Sequence, residues 1–322
     1  MSIWQLKLTG EAAIFAIFNT YKEIRLMELP LVSVILPTYR RDKMLQRALE
    51  SLIVQTWANI QIIVIDDNAD AAWNETVRSI TALYDGIKLI VNDSCCGSAK
   101  SRNIGVFAAE GDYITFLDDD DIYLPDKIEA QIKDLMAADG DYCLTNLCLY
   151  DETGKMIDRR EHEYLLNAEP DDLLRLHLLY HLTGTDTFMF RADYLKKIDA
   201  FPDIDVGDEF HLMTRAIIAG GKLVYSPECH VKAYIHTGSS GGLSSGMGKI
   251  RGENALFNEK KQYFIKLSNK DVRYIKARHY AVIAFANLRM RKFLRFLANG
   301  FMSFVSSPSD CIRLIIQHKS AF

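Results

Sequence analysis

Long apolar runs are missing from this sequence. No charge-free stretch approaches the roughly 18 apolar residues that a membrane-spanning helix needs. The apolar stretch Ala12–Phe18 (AAIFAIF) is short, directly follows Glu11, and is not followed by the small-residue cleavage site of a secretory signal. We therefore predict neither a membrane-spanning helix nor a secretory signal.

Cysteines are few, and none of them forms a CxxC pair. A chain of 322 residues is also large enough to fold without disulfide staples. This usage is typical of a reducing compartment and predicts a cytoplasmic protein. The six cysteines are Cys95, Cys96, Cys143, Cys148, Cys229 and Cys311.

Charge is nearly balanced over the whole chain but not along it. The formal net charge is −4, which gives no indication of nucleic-acid binding. From Arg273 to the end there are nine basic residues and one acidic residue, Asp310. A basic tail on an acidic body predicts an anionic surface as the tail's partner.

The first half of the chain alternates between strand and helix patterns. Continuous apolar runs, such as Val32–Leu36 and Tyr113–Leu117, are typical of strands buried on both faces. Apolar residues at helical spacing separate these runs, which predicts an α/β fold with a doubly wound, mostly parallel sheet. After about residue 140 the pattern is mixed, with a hairpin around Glu152–Gly154. We predict an N-terminal extension at residues 1–29, the main domain at 30–250, and a helical, basic C-terminal region at 251–322.

Three predicted strands end in polar residues. They are followed by Thr38-Tyr39-Arg40, by Asp66-Asp67, and by the four consecutive aspartates Asp118–Asp121. In open α/β sheets, ligands bind beyond the carboxyl ends of the strands, so all three groups would lie along the binding edge. Four adjacent carboxylates repel one another unless a cation offsets the repulsion, and oxygen ligands suit Mg²⁺ or Mn²⁺. A solvated acidic turn is the alternative interpretation.

Five blocks in this order and spacing resemble the glycosyltransferase family 2 group, which has the GT-A fold. They cover roughly Pro30–Gly246 and are VSVILPTYRR, IIVIDDNA, GSAKSRNIGVFAAEGDYITFLDDDD, GDEFHLMTR and IHTGSSGGLS. The resemblance implies a metal-dependent, inverting enzyme that transfers a sugar from a nucleotide diphosphate sugar, in particular a UDP-sugar, to a hydroxyl acceptor. The family's processive synthases carry a Gln-x-x-Arg-Trp motif, which this sequence lacks, so transfer of a single sugar is expected.

The resemblance also assigns roles to residues. Asp118 and Asp120 match the DxD motif, with Asp120 as the direct metal ligand and Asp118 or Asp119 facing the ribose or the metal's waters. Asp67 is expected to contact the base, and His236 is a candidate metal or diphosphate contact, although a lone histidine is more often structural. The remaining expected nucleotide contacts are Pro37, Thr38, Tyr39, Arg40, Lys100 and Arg102, of which Arg40 has an equally ordinary interpretation as a surface residue.

The catalytic base is expected in the segment GDEFHLMTR. The family segment runs acid-Asp-x-x-Leu-x-x-Arg, and counting back from Leu212 and Arg215 assigns the base to Glu209. Counting from Gly207, and matching residue type to the family's aspartate, assigns it to Asp208. We name both residues, with Asp208 first because its type matches. A structural alternative is that both acids only favour the N-terminus of a helix.

The expected partners are a nucleotide sugar donor and a glycan or lipid-linked acceptor, in cell-surface polysaccharide or glycolipid assembly. As a helix, residues 290–305 would place apolar side chains on one arc beside Arg291, Lys292 and Arg295. That pattern predicts docking on an anionic membrane at its inner face, or else packing against the core. Two other functions stay open: a catalytically inactive nucleotide-binding scaffold, and a sugar nucleotidyltransferase, although the loop after the first strand lacks the glycines of the latter class.

Overall fold

The computed structural model describes residues 29–182, 184–204, 207–235 and 246–319. Eleven strands lie within these ranges. They are β1 Val32–Thr38, β2 Ile60–Asp66, β3 Ile87–Val91, β4 Tyr113–Phe116, β5 Ile122–Tyr123, β6 Tyr142–Thr145, β7 Leu147–Tyr150, β8 Met156–Arg160, β9 Phe188–Arg191, β10 Leu223–Ser226 and β11 Val231–Tyr234.

Eleven α-helices lie in the same described ranges. They are α1 Lys43–Ile53, α2 Ala71–Thr81, α3 Ser98–Ala108, α4 Lys127–Ala138, α5 Leu173–Tyr180, α6 Ala192–Lys197, α7 Asp208–Ile218, α8 Gly246–Lys261, α9 Asn269–Arg289, α10 Phe293–Ser306 and α11 Pro308–Lys319.

The central sheet has seven strands in the order β10-β6-β9-β4-β1-β2-β3. All of them run parallel except β9, which is antiparallel to both of its neighbours, β4 and β6. Every residue of β1 is buried, with Ile35 in the core on one face of the sheet and Val34 and Leu36 in the core on the other. A strand covered on both faces is largely apolar, and the strand directions confirm the predicted α/β fold with a mostly parallel sheet.

Helix α3 packs unusually close to the sheet. A Cβ atom added at Gly105 would lie 2.4 Å from Ile35 Cγ2, so only glycine fits this contact. The helix backbone therefore lies directly on β1, and Arg102, one turn earlier in α3, reaches the carboxyl edge of the sheet.

A smaller sheet with the order β5-β11-β7-β8 closes the second half of the domain. Strands β7 and β8 form the hairpin expected around Glu152–Gly154. Cys148 in β7 and Cys229 just before β11 form a disulfide with a Cα–Cα distance of 6.2 Å. This pairing differs from the expectation of a chain without disulfides, which was based on the lack of a CxxC pair and on chain length; the fold brings together two cysteines that are 81 residues apart.

The C-terminal helices pack against the main domain through their own apolar cluster. Phe257 of α8 and Ile275 of α9 contact Leu178 and Leu179 of α5 and Phe210 of α7. Helix α8 runs through residue 250, where the sequence analysis placed a domain boundary. That boundary and the 251–322 region stay predictions, and residues 1–28 lie outside the described ranges.

Helices α10 and α11 carry apolar side chains that the structure leaves exposed. Leu294 is 85% exposed and Phe301 is 66% exposed, and Ser303 is the buried residue of α10. We call this surface the apolar face; its members are Phe293, Leu294, Leu297, Phe301, Phe304, Val305, Ile312 and Ile316. Met290, expected on the same arc, lies instead in the break between α9 and α10. Among the described residues, no helix is long and apolar enough to cross a membrane.

Candidate active site

The loops after β1 and β4 are joined at the carboxyl edge of the sheet. Thr38 Oγ1 donates to Asp119 Oδ2 at 2.8 Å, and the Tyr39 backbone N–H donates to the same oxygen at 3.2 Å. Burial raises the pKa of Asp119 to about 7, with Arg41 opposing the shift and Asp120 adding to it. Thr38 and Tyr39 therefore lie against the acidic loop at the sheet edge, and Pro37 lies buried just before them in β1. Their expected contacts with a nucleotide stay predictions.

Two neighbouring arginines occupy different positions beside this loop. Arg41, which the sequence analysis did not assign to the site, forms an ion pair with Asp120, and its Nη1 lies 3.5 Å from Asp119 Oδ1. Arg40 is exposed, donates its backbone N–H to Asn68 Oδ1 at 2.7 Å, and places its side chain over the Tyr39 ring. Arg41 is the last residue of the opening block VSVILPTYRR, and the signal for it was a second arginine in a loop at the same sheet edge as an acidic run.

Three carboxylates form a cluster under the acidic loop. One carboxylate oxygen each from Asp118, Asp121 and Asp186 lies within 4.8 Å of the others. Asp186 Oδ1 accepts the backbone N–H of Asp118 at 2.7 Å, and Asp121 Oδ1 accepts that of Tyr234 at 2.8 Å. Burial and the Asp118 charge raise the pKa of Asp186 to about 7, and burial with Asp186 raises that of Asp121. Carboxylates held this close share a proton or a cation, and their hard oxygen donors fit Mg²⁺ or Mn²⁺.

Asp186 was missed as a site residue by sequence analysis. It lies in the short 3₁₀ turn Thr185–Thr187, directly before β9. Because β9 inserts beside β4, with Thr115 opposite Met189, the turn comes to lie next to Asp118. The signal available in the sequence was an aspartate just before an apolar strand. This is the reverse of the Asp118–Asp121 pattern, in which aspartates follow an apolar strand.

Arg102 connects the acidic loop to helix α7. Its two terminal nitrogens contact Asp118 Oδ1 at 2.5 Å and Asp208 Oδ2 at 2.8 Å. Its side chain is buried and lies against the Phe201 ring. Burial alone would lower the pKa of Arg102, but Asp118 and Asp208 outweigh it and raise the pKa, so the side chain stays charged.

Helix α7 begins at the two candidate base residues. Gly207 precedes it with a φ of 86°, a left-handed conformation that suits glycine, and the turn presents Asp208 and Glu209 to the site. Asp208 is paired with Arg102, whereas Glu209 Oε2 accepts from Thr185 Oγ1 at 3.0 Å. Burial, followed by the charge of Asp208, raises the pKa of Glu209.

Asp67 holds the loop after β3. Its two oxygens accept the backbone N–H groups of Cys96 at 2.9 Å and Gly97 at 2.8 Å, and Asn92 Nδ2 donates at 2.8 Å. Burial would raise the pKa of Asp67, but the hydrogen bond from the Cys96 backbone and the others lower it, so the carboxylate is charged. Its expected contact with a base stays a prediction.

The two remaining expected residues are Lys100 and His236. Lys100 Nζ is 3.0 Å from Asp203 on the surface of α3, on a different face of the helix from Arg102, so the structure does not bring it to the carboxylates. His236 lies outside the described residues, and its role as a metal or diphosphate contact stays a prediction.

Known proteins share this architecture. S. aureus TarS residues 1–349 in complex with UDP-GlcNAc has a TM-score of 0.56 and 16% identity, covering 85% of this chain and 91% of that one. Mannosyltransferase PcManGT from Pyrobaculum calidifontis, in complex with GDP-Man and Mn²⁺, has a TM-score of 0.54 and 15% identity, covering 96% of each chain. At these identities the likeness shows the fold, which is GT-A.

Sequence relatives are more similar over shorter stretches. The UDP-Glc:alpha-D-GlcNAc-diphosphoundecaprenol beta-1,3-glucosyltransferase WfgD of Escherichia coli is 35% identical over 102 residues, 32% of this chain and 40% of the relative. The chain spans about half the length of the curated relatives it matches. Residues 33–199, more than half of the chain, match the glycosyl transferase family 2 model. The chain belongs to glycosyl transferase family 2.

Proposed function

We propose that this protein transfers one sugar from a nucleotide diphosphate sugar to a hydroxyl acceptor, with inversion at the anomeric carbon. The observation that carries the proposal is the placement of two groups at one sheet edge. The carboxylates Asp118, Asp121 and Asp186 lie on one side, and Asp208 and Glu209 lie on the other, with Arg102 between them. Such an arrangement separates a diphosphate-binding side from a proton-accepting side.

The donor is proposed to lie with its diphosphate at the acidic loop. The loops after β1 and β2, with Thr38, Tyr39 and Asp67, form the wall expected to hold the nucleoside. A UDP-sugar is the proposed donor, in line with the names of WfgD and of the TarS complex, whereas PcManGT is described with GDP-Man. Binding therefore has to be tested with both uracil and guanine nucleotides.

A divalent cation, Mn²⁺ or Mg²⁺, is proposed as the cofactor. It would offset the negative charge that builds on the leaving diphosphate. Asp118 and Asp120 are the proposed ligands from the DxD pattern. Asp118 lies in the cluster of oxygen donors with Asp121 and Asp186, whereas Asp120 lies outside that cluster. Arg41, which is paired with Asp120, supplies a further positive charge at this position.

Glu209 is the proton acceptor that the geometry favours. The acceptor hydroxyl attacks the anomeric carbon, the bond from that carbon to the diphosphate oxygen breaks, and the hydroxyl proton passes to the carboxylate. Asp208 is already engaged by Arg102 at 2.8 Å, whereas Glu209 has a raised pKa and one hydroxyl partner, Thr185. Asp208 is then a positioning residue that holds Arg102.

The acceptor is proposed to be a glycan or a lipid-linked glycan at an anionic membrane surface. Its support is the apolar face of α10 and α11, which is exposed and lies beside Arg291, Lys292 and Arg295. Basic residues beside exposed apolar side chains favour the interface of an anionic bilayer.

The test measures binding and turnover separately. Thermal shifts with UDP and GDP, each with Mn²⁺ or with EDTA, report nucleotide binding. Release of nucleoside diphosphate from UDP-Glc, UDP-GlcNAc and GDP-Man reports turnover. We expect Mn²⁺-dependent stabilisation by UDP and slow UDP release that Glu209→Gln abolishes. Stabilisation without turnover on any donor and acceptor would support an inactive scaffold, and no nucleotide binding would overturn the proposal.

A further inference from the structure

A group of basic side chains lies between α5, α8 and α9, outside the site described above. Lys260 Nζ is 2.5 Å from His181 Nε2, and Arg278 Nη1 is 3.1 Å from the same nitrogen. We call Lys260, Arg278 and His181 the basic cluster.

His181 contributes no negative charge to this cluster. Burial, followed by the charges of Arg278 and Lys260, lowers the pKa of His181 well below its usual value, so the ring is neutral. A neutral imidazole nitrogen offers one lone pair, and here two cationic groups converge on it. The histidine therefore orients the two cations without compensating them.

One buried carboxylate accompanies the basic cluster among the residues that the structure describes. It is Glu253, which acts on both Lys260 and Arg278 and lies 3.3 Å from His279. Lys260 is 3% exposed, and burial lowers its pKa well below the usual value. In the described part of the chain, neither Lys260 nor Arg278 forms an ion pair with a carboxylate. This is costly for a buried cation and differs from Arg102, where two carboxylates contact one guanidinium.

The cluster borders the proposed proton acceptor. Phe210 directly follows Glu209, its ring lies 5.2 Å from that of His181, and Lys260 Nζ lies 5.5 Å from the Phe210 ring centroid. Asp208, two positions before Phe210, faces Arg102 and the acidic loop instead. Arg278 is partly exposed, so an anion in solvent has access to the cluster at its guanidinium.

We propose that the basic cluster binds a phosphoryl group of a substrate. A phosphoryl group brings several oxygens and more than one negative charge to a single point, which suits an amine and a guanidinium that converge on one imidazole nitrogen. The group belongs either to a phosphate-linked acceptor, brought beside Glu209, or to the leaving diphosphate. The assignment to an acceptor depends on the proposed function, whereas phosphate binding itself does not.

Inorganic phosphate is the probe, titrated by calorimetry in metal-free buffer against the full chain. Lys260→Met and Arg278→Met remove one cation each and keep the apolar bulk. The matched control is Lys261→Met, an exposed neighbour on the same helix that contacts the Phe257 ring. We expect the first two variants to bind phosphate at least about tenfold more weakly and the control to bind like the parent.

Stability separates a binding site from a structural one. If the basic cluster serves to bind a ligand and does not stabilise the fold, Lys260→Met without phosphate should have the same melting temperature as the parent or a higher one. The reason is that the substitution removes a buried, poorly paired cation. Equal phosphate affinity in parent and both variants, or no phosphate binding by the parent, overturns the proposal.

The two sources of the phosphoryl group are told apart with UDP and Mn²⁺. Unchanged UDP affinity in Lys260→Met assigns the cluster to the acceptor, and a loss of about tenfold assigns it to the leaving diphosphate. Because phosphate titration needs no transfer, its failure is distinct from a failure of the proposed reaction, which Glu209→Gln tests.

Discussion

The guanidinium of Arg102 contacts Asp208 at 2.8 Å while its other nitrogen contacts Asp118 at 2.5 Å. One buried side chain thus joins the start of α7 to the acidic loop after β4, although 106 residues separate Arg102 from Asp208. The two acids at the start of α7 consequently differ in environment. Asp208 faces a fixed positive charge, and Glu209 faces a hydroxyl.

That difference predicts distinct effects for two isosteric substitutions. Glu209→Gln should lower turnover by a factor on the order of 10²–10⁴ while UDP–Mn²⁺ affinity stays near that of the parent, because proton transfer is lost and binding is not. Asp208→Asn should lower the melting temperature and reduce turnover less. Steady-state rates, UDP calorimetry and melting curves on the same preparations measure these effects. If Asp208→Asn has the larger loss of turnover and Glu209→Gln is active, the roles are reversed.

The ionisation of Glu209 should make the turnover rate depend on pH. The base acts in its ionised form, so turnover should fall as pH drops below the raised pKa of Glu209, and the descending limb should lie at higher pH than for an unperturbed glutamate. A pH–rate profile with saturating donor measures this limb. Glu209→Asp keeps a carboxylate base, so its turnover should also fall as the pH is lowered. A turnover rate that stays constant until the pH reaches the usual pKa range of glutamate contradicts the assignment of Glu209 as the base.

Removing Arg102 should destabilise the fold more than removing a surface arginine. Arg102→Met leaves Asp118 and Asp208 without their partner, which costs roughly 3–5 kcal/mol for a buried pair, and the lower end applies because Asp118 is partly exposed. Urea unfolding measures the loss. Arg78→Met, an exposed arginine on α2, is the control and should change the free energy of unfolding by less than about 0.5 kcal/mol. Equal losses in both variants would show that the Arg102 bridge is energetically neutral.

The central sheet and the residues along one edge of the candidate site could be predicted from the sequence. Parallel strands have their carboxyl ends at a common edge, so Thr38, Asp67 and Asp118 could be placed together from local patterns alone. Asp186 could not, because its position depends on β9 inserting antiparallel between β4 and β6, a pairing that no local pattern encodes. The choice between Asp208 and Glu209 likewise depended on where Arg102, 106 residues away, places its charge.

The C-terminal helices illustrate a second limit. The spacing of apolar residues predicted an amphipathic helix near residues 290–305, and α10 occupies that segment from Phe293. Periodicity cannot say whether an apolar arc faces the core or solvent, because both give the same pattern. The structure packs α10 on α9 through Ser303, whose Oγ donates to the Ala277 carbonyl, and leaves the apolar face outward.

Asp186 gives a test of the carboxylate cluster. Asp186→Asn should weaken Mn²⁺ binding by about tenfold or more, because one charged oxygen donor is lost from the cluster of three. Asp158→Asn, an exposed aspartate in β8, is the control. Calorimetry with Mn²⁺ and UDP measures both variants, with Asp120→Asn alongside to test the DxD assignment. Undiminished Mn²⁺ affinity in Asp186→Asn would exclude Asp186 from the metal site.

The raised pKa values predict how metal-free stability depends on pH. In the folded chain the pKa of Asp186 and that of Asp119 are each about 7, above the usual 3.8. A carboxyl whose pKa is raised by folding is favoured when protonated, so the free energy of unfolding should fall as pH rises from about 4 to about 7. Mn²⁺ should raise the melting temperature more at about pH 8 than at about pH 5.5, because it binds the ionised carboxylates. Melting curves with Mn²⁺ or EDTA check both statements, and stability that rises over this range without metal contradicts them.

The apolar face predicts reversible binding to anionic membranes. Leu294 and Leu297 are 85% and 63% exposed, so Leu294→Glu/Leu297→Glu should leave the melting temperature near that of the parent. On vesicles containing anionic lipid, the parent should float with the vesicles and be released by salt, since Arg291, Lys292 and Arg295 add electrostatic attraction to apolar insertion. The double variant should stay in the soluble fraction, because two carboxylates then face the lipid. Leu83→Glu, a substitution of a 67% exposed leucine after α2, is the matched control and should float like the parent. If the parent and both variants distribute alike, the apolar face does not dock on lipid.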